Sequence, residues 1–207
     1  MNAPQRSAEW FKEREGKLTA SVFGQAAGLA PGSRQQLWRR LHKLETFEGN
    51  AATQWGEDNE PVALGAYEIA KQTKADLCGF VPHPEIDWLG GSPDFLIGLE
   101  GGGEIKCPMS KEIYPEIPAY YMAQVQGLME ITNRSWWDFV VWVPGQLSIR
   151  RVHRSKVYWD WLHVRLADFW CWYESGIEPP REKKQPTPDF KLEIEAEQLF
   201  ELDATQI

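Results

Sequence analysis

The spacing of apolar positions divides the 207-residue chain into helical and extended stretches. Ser7–Glu15 reads as a short helix that Gly16 stops, and Thr19 stands where it would cap a second apolar segment, ASVFGQAAGL. Ser33-x-x-Gln36 has the spacing of a capping box, in which hydroxyl and amide reciprocally satisfy free backbone donors; it opens a helix over QQLWRRLHKLE. Proline is tolerated in a first helical turn, so Pro61 predicts a helix over PVALGAYEIAKQ with Glu60 at or near its start.

Residues 78–107 change character. Short β-like runs (CGFVPH, DWLGG, DFLIG, EIKCP) alternate with Gly and Pro, and Gly101-Gly102-Gly103 reads as a turn between the last two. YYMAQVQGLMEIT returns to a helical period, with Tyr121, Gln124/Val125, Leu128 and Met129 along one side. WWDFVVWVP and QLSIRRVH form a predicted hairpin through Pro144-Gly145, followed by a long aromatic helix over about 155–176. This order describes an α/β domain with a central mixed β-sheet flanked by helices, spanning 1–178. Residues 179–207 add a Pro-rich charged linker, EPPREKKQPTP, and an acidic segment, DFKLEIEAEQLFEL, open to reading as strand, helix or disordered tail.

Composition narrows the class. Hydrophobic residues at 43% and charged residues at 25% exclude collagen-like, low-complexity and wholly disordered chains. A chain of this length buries roughly 70% of its unfolded surface, so its core needs no disulfide or structural metal. No run of 18 apolar residues is present, and MNAPQRSAEWFKEREG lacks the apolar stretch of a secretory signal. Three widely spaced cysteines match neither a disulfide framework nor a CxxC metal site, so a reduced, cytoplasmic protein is expected. The net charge of −8 argues mildly against a nucleic-acid partner, yet −5 of it falls in residues 185–207, leaving −3 for the rest. Enzymes that cut DNA with bound cations must themselves concentrate carboxylates, so total charge does not decide.

The most informative stretch is Ser92-Pro93-Asp94, then, after nine intervening residues, Glu104-Ile105-Lys106. Strand alternation puts Glu104 and Lys106 on one face and turns Ile105 into the core. A hairpin turning near Gly101 returns Glu104 close to Asp94, so two carboxylates and an ammonium converge at one end of a sheet. Hard oxygen ligands of this kind suit Mg²⁺ or Mn²⁺, and the set fits phosphodiester hydrolysis, with Lys106 orienting water or neutralising developing charge. The alternative is a surface hairpin with solvated acids and a paired lysine. Phe95, Leu96, Ile97, Ile105 and Cys107 favour buried strands and the chemical reading.

Four blocks in order, Arg14-Glu-Gly-Lys-Leu-Thr-Ala-Ser21, Trp55-Gly-x-x-x-Glu60, Ser92-Pro-Asp94 with Glu104-Ile-Lys106-Cys-Pro, and Tyr121-Met-Ala-Gln124-Val-Gln126, span about residues 10–130. The set resembles the phage lambda exonuclease family of YqaJ-like viral recombinases (alkaline exonucleases), within the PD-(D/E)xK superfamily with its restriction-endonuclease-like core. The resemblance implies a Mg²⁺-dependent 5′→3′ exonuclease on duplex DNA ends, with Mn²⁺ as a substitute and one or two ions per site. By the same resemblance it would release mononucleotides and leave 3′ overhangs for a single-strand annealing protein, working as a ring-shaped homotrimer. Asp94, Glu104 and the Ile105 carbonyl would be metal ligands, Glu60 would serve a second metal or its water shell, and Lys106 would be the catalytic lysine. Arg14, Ser21, Ser92 and Gln124 match the pocket for the 5′-terminal phosphate.

Several residues keep a second reading. Glu60 also suits a helix start favoured by the dipole, Arg14 a solvated helix end, and Thr19 and Ser21 mere capping. Tyr121 shares a helical side with Gln124 and is a candidate DNA contact. Arg34, Arg39 and Arg40 suit either DNA-backbone contacts or an amphipathic surface helix. Phe95 departs from the usual SPDG, and the family's strand-separating wedge, which falls near Thr53 and Gln54, does not carry over. Eleven tryptophans are expected in core packing or an interface, and the four histidines in structural roles. An endonuclease of the same superfamily and an inert end-binding module are the rival functions.

Overall fold

A computed structural model describes residues 3–29, 32–45, 49–181 and 196–203. Helix α1 (Ala8–Arg14) starts where Ser7 Oγ accepts the Trp10 amide, and its backbone reverses through Gly16 at φ +70°. Strand β1 (Leu18–Thr19), a 3₁₀ turn (Ala20–Val22) and α2 (Phe23–Ala26) follow. Thr19 precedes that turn but does not cap it: its hydroxyl faces Arg14 and Ser21 instead. Helix α3 (Arg34–Leu41) has the expected capping box, with Ser33 and Gln36 bonded both ways, and ends a turn earlier than its sequence period suggests.

Helix α4 (Ala51–Lys71) corrects the Pro61 expectation. It begins ten residues upstream, capped by the Asn50 side chain on the Thr53 amide, and runs through Pro61 without stopping. Pro61 and Val62 are exposed, so the ring meets no packed neighbour, and the helix loses only the one donor that proline lacks. Glu60 therefore lies mid-helix, and a helix-start role is excluded.

Strands β2 (Asp76–Leu77), β5 (Phe95–Ile97), β6 (Gly101–Lys106), β7 (Trp136–Val143), β8 (Gln146–His153) and β9 (Ala196–Asp203) form one sheet in the order β2-β5-β6-β7-β8-β9. Among the described strands of this sheet only β6 and β7 are parallel, joined by the crossover helix α5 (Ala119–Thr132). β1, β3 (Val81–Pro82) and β4 (Leu89–Gly91) make a second, small sheet. The Gly101–Gly103 run is strand, not turn. Trp136, Trp137 and Phe95 rings lie where β-carbons of these residues would be, so only glycine lets the aromatic side chains cross the strand. The reversal falls at 98–100, with Gly98 at φ +52°. Phe95, at the position where SPDG has glycine, is fully buried against the strand face of Gly103 and meets the Tyr67 ring in a tilted contact, centroids 4.6 Å apart.

One sheet face packs on α2, α5 and α6 (Lys156–Glu174), with Trp137, Phe139 and Val141 meeting Phe23, Leu128 and Leu166. The other packs on α4, whose buried Ala63 and Tyr67 meet Phe95, Ile105 and Val140. Trp38, Trp137, Trp159 and Trp170 are core residues, as expected. His83 caps a turn through its Nδ1, which accepts the Glu85 and Ile86 amides. Of the acidic segment, 196–203 is a strand on the edge of the main sheet; residues 182–195, covering most of the Pro-rich linker, lie outside the described residues. Among the described residues no helix is long and apolar enough to cross a membrane.

Candidate active site

The β5/β6 pairing sets Phe95 against Gly103, so Asp94 stands beside Glu104 at the end of the hairpin. Asp94 Oδ2 accepts the Ile105 amide at 2.7 Å. In an extended strand the N–H and C=O of one residue point to the same side, so the Ile105 carbonyl shares that side with Asp94. Glu104 Oε1 accepts Lys106 Nζ at 2.7 Å and Gln124 Nε2 at 2.6 Å. Lys106 lies over the Tyr121 ring, 4.5 Å from its centroid. Tyr121 and Gln124, one helical turn apart on α5, thus both face β6. A cleft of about 450 Å³ opens here, lined by Arg6, Glu60, Asp94, Glu104, Lys106 and Tyr121 among others.

Burial, then the neighbouring Glu104 and Glu60, pushes the Asp94 carboxyl well above the usual range; Lys106 and the Ile105 amide only partly offset this. Burial likewise raises Glu104, against the pull of Lys106 and Gln124. For Lys106 burial disfavours the charge but is outweighed by Glu104, Tyr121 and Asp94, so the ammonium persists through neutral pH. Burial, then Glu60 and Asp94, push the Cys107 thiol up to about 12, leaving it inert. Glu104 Oε2 is buried without a hydrogen-bond partner. A buried anionic oxygen lacking a donor, beside a second carboxylate destabilised as an anion, is what a bound cation would relieve. The donors are hard oxygens, which suit Mg²⁺-type ions over softer ones. Among the described residues no three His, Cys, Asp or Glu side chains form a ready-made cage. Glu60 instead bonds Arg6, 3.1 Å from its Nη2.

A second cluster adjoins the first through Ser92-Pro93-Asp94. Arg14 donates to Ser92 Oγ at 3.3 Å and Thr19 Oγ1 at 3.4 Å, and Thr19 Oγ1 lies 3.3 Å from Ser21 Oγ. The guanidinium stacks on Trp10, 3.9 Å from the ring centroid, and Trp10 Nε1 donates to Ser92 Oγ at 2.9 Å. Burial lowers the Arg14 pKa to about 10, so it stays charged at neutral pH, and among the described residues it has no carboxylate partner. A cation met only by hydroxyls and an indole face is prepared for an anion.

The structure therefore brings Arg14, Ser21 and Ser92 together, and separately Asp94, Glu104, Lys106 and Tyr121. Gln124 sits with the second group on Glu104, not in the Arg14 cluster. Arg34 is not a surface contact for DNA: it is buried, pairs with Asp168 at 2.8 Å, and lies near the Phe169 ring. Arg39 pairs with Glu45 and Glu178, and Arg40 bonds Gln25. Trp10 and Arg6 were not singled out in sequence. Trp10 had a signal, since it precedes Arg14 by four residues on one helix; Arg6, in an irregular lead-in, had none.

A model of the YqaJ-like viral recombinase domain matches residues 9–135. Among solved structures, the alkaline exonuclease LHK-Exo from Laribacter hongkongensis is 32% identical, with 83% of this chain and 95% of that one covered and a TM-score of 0.70. LHK-Exo in complex with dAMP gives 30% identity, the same coverage and a TM-score of 0.71. A phage-related exonuclease from Haemophilus somnus shares the fold, at 16% identity, coverage of 77% and 94%, and a TM-score of 0.62. No curated protein matches the sequence. With the family's matched region holding both clusters, this chain belongs to the YqaJ-like viral recombinase domain family.

Proposed function

We propose that this protein is a divalent-cation-dependent exodeoxyribonuclease that degrades the 5′-terminated strand of duplex DNA ends, releasing mononucleotides and leaving 3′ overhangs. The observation that carries the reading is the adjacency of two clusters, an uncompensated Arg14–Ser92 cation and the Asp94–Glu104–Lys106 set, joined by three residues of chain. A terminal phosphate held by Arg14, Ser21 and Ser92 puts a nearby phosphodiester at the acidic set. An internal phosphate, flanked by sugar on both sides, fits such a pocket poorly.

Asp94, Glu104 and the Ile105 carbonyl would hold the cation, Mg²⁺ or in its place Mn²⁺, and Glu60 a second ion or its water shell. When bound, such an ion lends positive charge to the phosphate and acidifies a bound water. The protein's own groups do the rest. Lys106, paired with Glu104 at 2.7 Å, offsets charge developing on the phosphate. Gln124 fixes the Glu104 carboxylate, and Tyr121 confines the Lys106 ammonium. The proposal includes a ring of three subunits in the cytoplasm and delivery of the overhang to a single-strand annealing protein, consistent with membership of a viral recombinase family.

Linear duplex labelled separately at each end, incubated with Mg²⁺ or EDTA, tests this. Label should leave the 5′ end first, only with Mg²⁺, and covalently closed circles should survive. Lys106→Ala should lower turnover by about 10²–10³-fold, as loss of one charge-stabilising donor does, while end binding persists. Rapid nicking of circles, or cleavage in EDTA, overturns the proposal.

A further inference from the structure

The segment leading into α1 is tied down beside the acidic set. Gln5 Nε2 donates to the Pro93 carbonyl at 2.8 Å and the Cys78 carbonyl at 3.1 Å, fixing residue 5 to the residue before Asp94. Arg6 follows at φ +68°, a left-handed backbone that a non-glycine residue holds only when its surroundings impose it. That turn carries the guanidinium into the cleft, where Nη2 lies 3.1 Å from Glu60 Oε2 and Nε 3.7 Å from Glu57 Oε1. With Arg6 the charged cleft residues carry a formal −2, matched to one divalent ion; without it they carry −3.

Resting on the reading of this cleft as a cation site, we infer that Arg6 is a built-in counter-ion for Glu60, which a divalent cation must displace to gain that carboxylate. Arg6 is a positioning residue: it acts through Glu60 and sets how tightly the cleft takes its ion. The pair is suited to displacement. Arg6 is 47% exposed and Glu60 30%, and pairs so placed are weak enough to exchange. Lys106 differs, being enclosed and bonded to Glu104 on the same strand. The Gln5 anchor keeps Arg6 close, so the guanidinium returns when the ion leaves.

Mn²⁺ binding to the DNA-free full-length protein, followed by calorimetry, tests the inference apart from activity. Arg6→Ala and Arg6→Gln should bind Mn²⁺ about two- to fivefold tighter, the range that loss of a half-exposed ion pair supports. Arg6→Lys, which keeps the charge, should stay near wild type. The gain should vanish when Glu60→Gln is combined with Arg6→Ala. Unchanged or weaker binding in Arg6→Ala overturns the inference, as does a gain that persists in the Glu60→Gln background. If Asp94→Asn abolishes Mn²⁺ binding while Arg6→Ala leaves it unchanged, only the counter-ion role fails. If the wild-type protein binds no Mn²⁺, both this inference and the cation-site reading fail.

Discussion

Gln124 on α5 donates its Nε2 to Glu104 Oε1 on β6 at 2.6 Å, so the amide faces the acidic set and not the Arg14 cluster. This contact couples helix to strand at the point where the proposed chemistry occurs. Gln124 lies in the crossover between the two parallel strands, which places it over β6 through the packing of the helix.

Gln124→Ala should therefore lower turnover by about 10–100-fold, the usual effect of removing a partner that orients a ligand. The loss should be equal on 5′-phosphoryl and 5′-hydroxyl ends. A selective loss on phosphorylated ends, measured with matched substrates, would return Gln124 to the phosphate pocket.

Arg14→Ala should act in the complementary way. Removing the buried guanidinium should cut the preference for 5′-phosphoryl over 5′-hydroxyl ends by about tenfold or more, since charge-assisted bonds are the strong ones. Trp10→Phe keeps the stacking ring but loses the donor to Ser92, so it should reduce the preference less. Competition between the two end types measures both ratios, and an unchanged ratio in Arg14→Ala would dismiss the pocket.

The raised pKa of Asp94 has a consequence for stability. Below the ordinary aspartate range both folded and unfolded chains hold the proton, and no difference arises. As pH rises above that range the unfolded chain releases the proton first, so the fold loses stability until Asp94 itself ionises. Asp94→Asn should therefore melt higher than wild type in EDTA at pH 8, by about 2–4 °C if the relief is about 1 kcal/mol. The difference should shrink toward pH 4. A variant that melts lower than wild type by the same margin at both pH values would contradict this.

Tyr67 ties α4 to the sheet. Its hydroxyl donates to Asp138 Oδ2 at 2.8 Å, and Arg151 holds the same buried carboxylate through Nε at 2.8 Å and Nη2 at 2.9 Å. Tyr67→Phe should cost about 1–3 kcal/mol, the penalty for a buried acceptor left short of a partner. Asp138→Ala should cost more, about 3–5 kcal/mol, because Arg151 then loses its buried counter-ion. Chemical denaturation of the full chain measures both, and equal costs would show that Arg151 draws little from Asp138.

The residues themselves determined the local rules. Ser33 and Gln36 specify their own cap, Pro144-Gly145 joins β7 to β8, and alternation puts Ile105 opposite Glu104 and Lys106, because each depends on neighbours within a few positions. The order of four motif blocks likewise carried the family, as the match over 9–135 bears out. Packing decided the rest. The Gly101–Gly103 run becomes a strand because aromatic rings from β5 and β7 need its empty faces, and nothing within the run announces them. Glu60 moves to mid-helix because an upstream cap at Asn50 overrides the proline signal. Arg34 turns inward to Asp168, Gln124 to Glu104 and Arg6 to Glu60, across 134, 20 and 54 residues of chain. A long polar side chain takes whichever partner the fold brings within reach, so such pairings exist only once the chain has closed on itself.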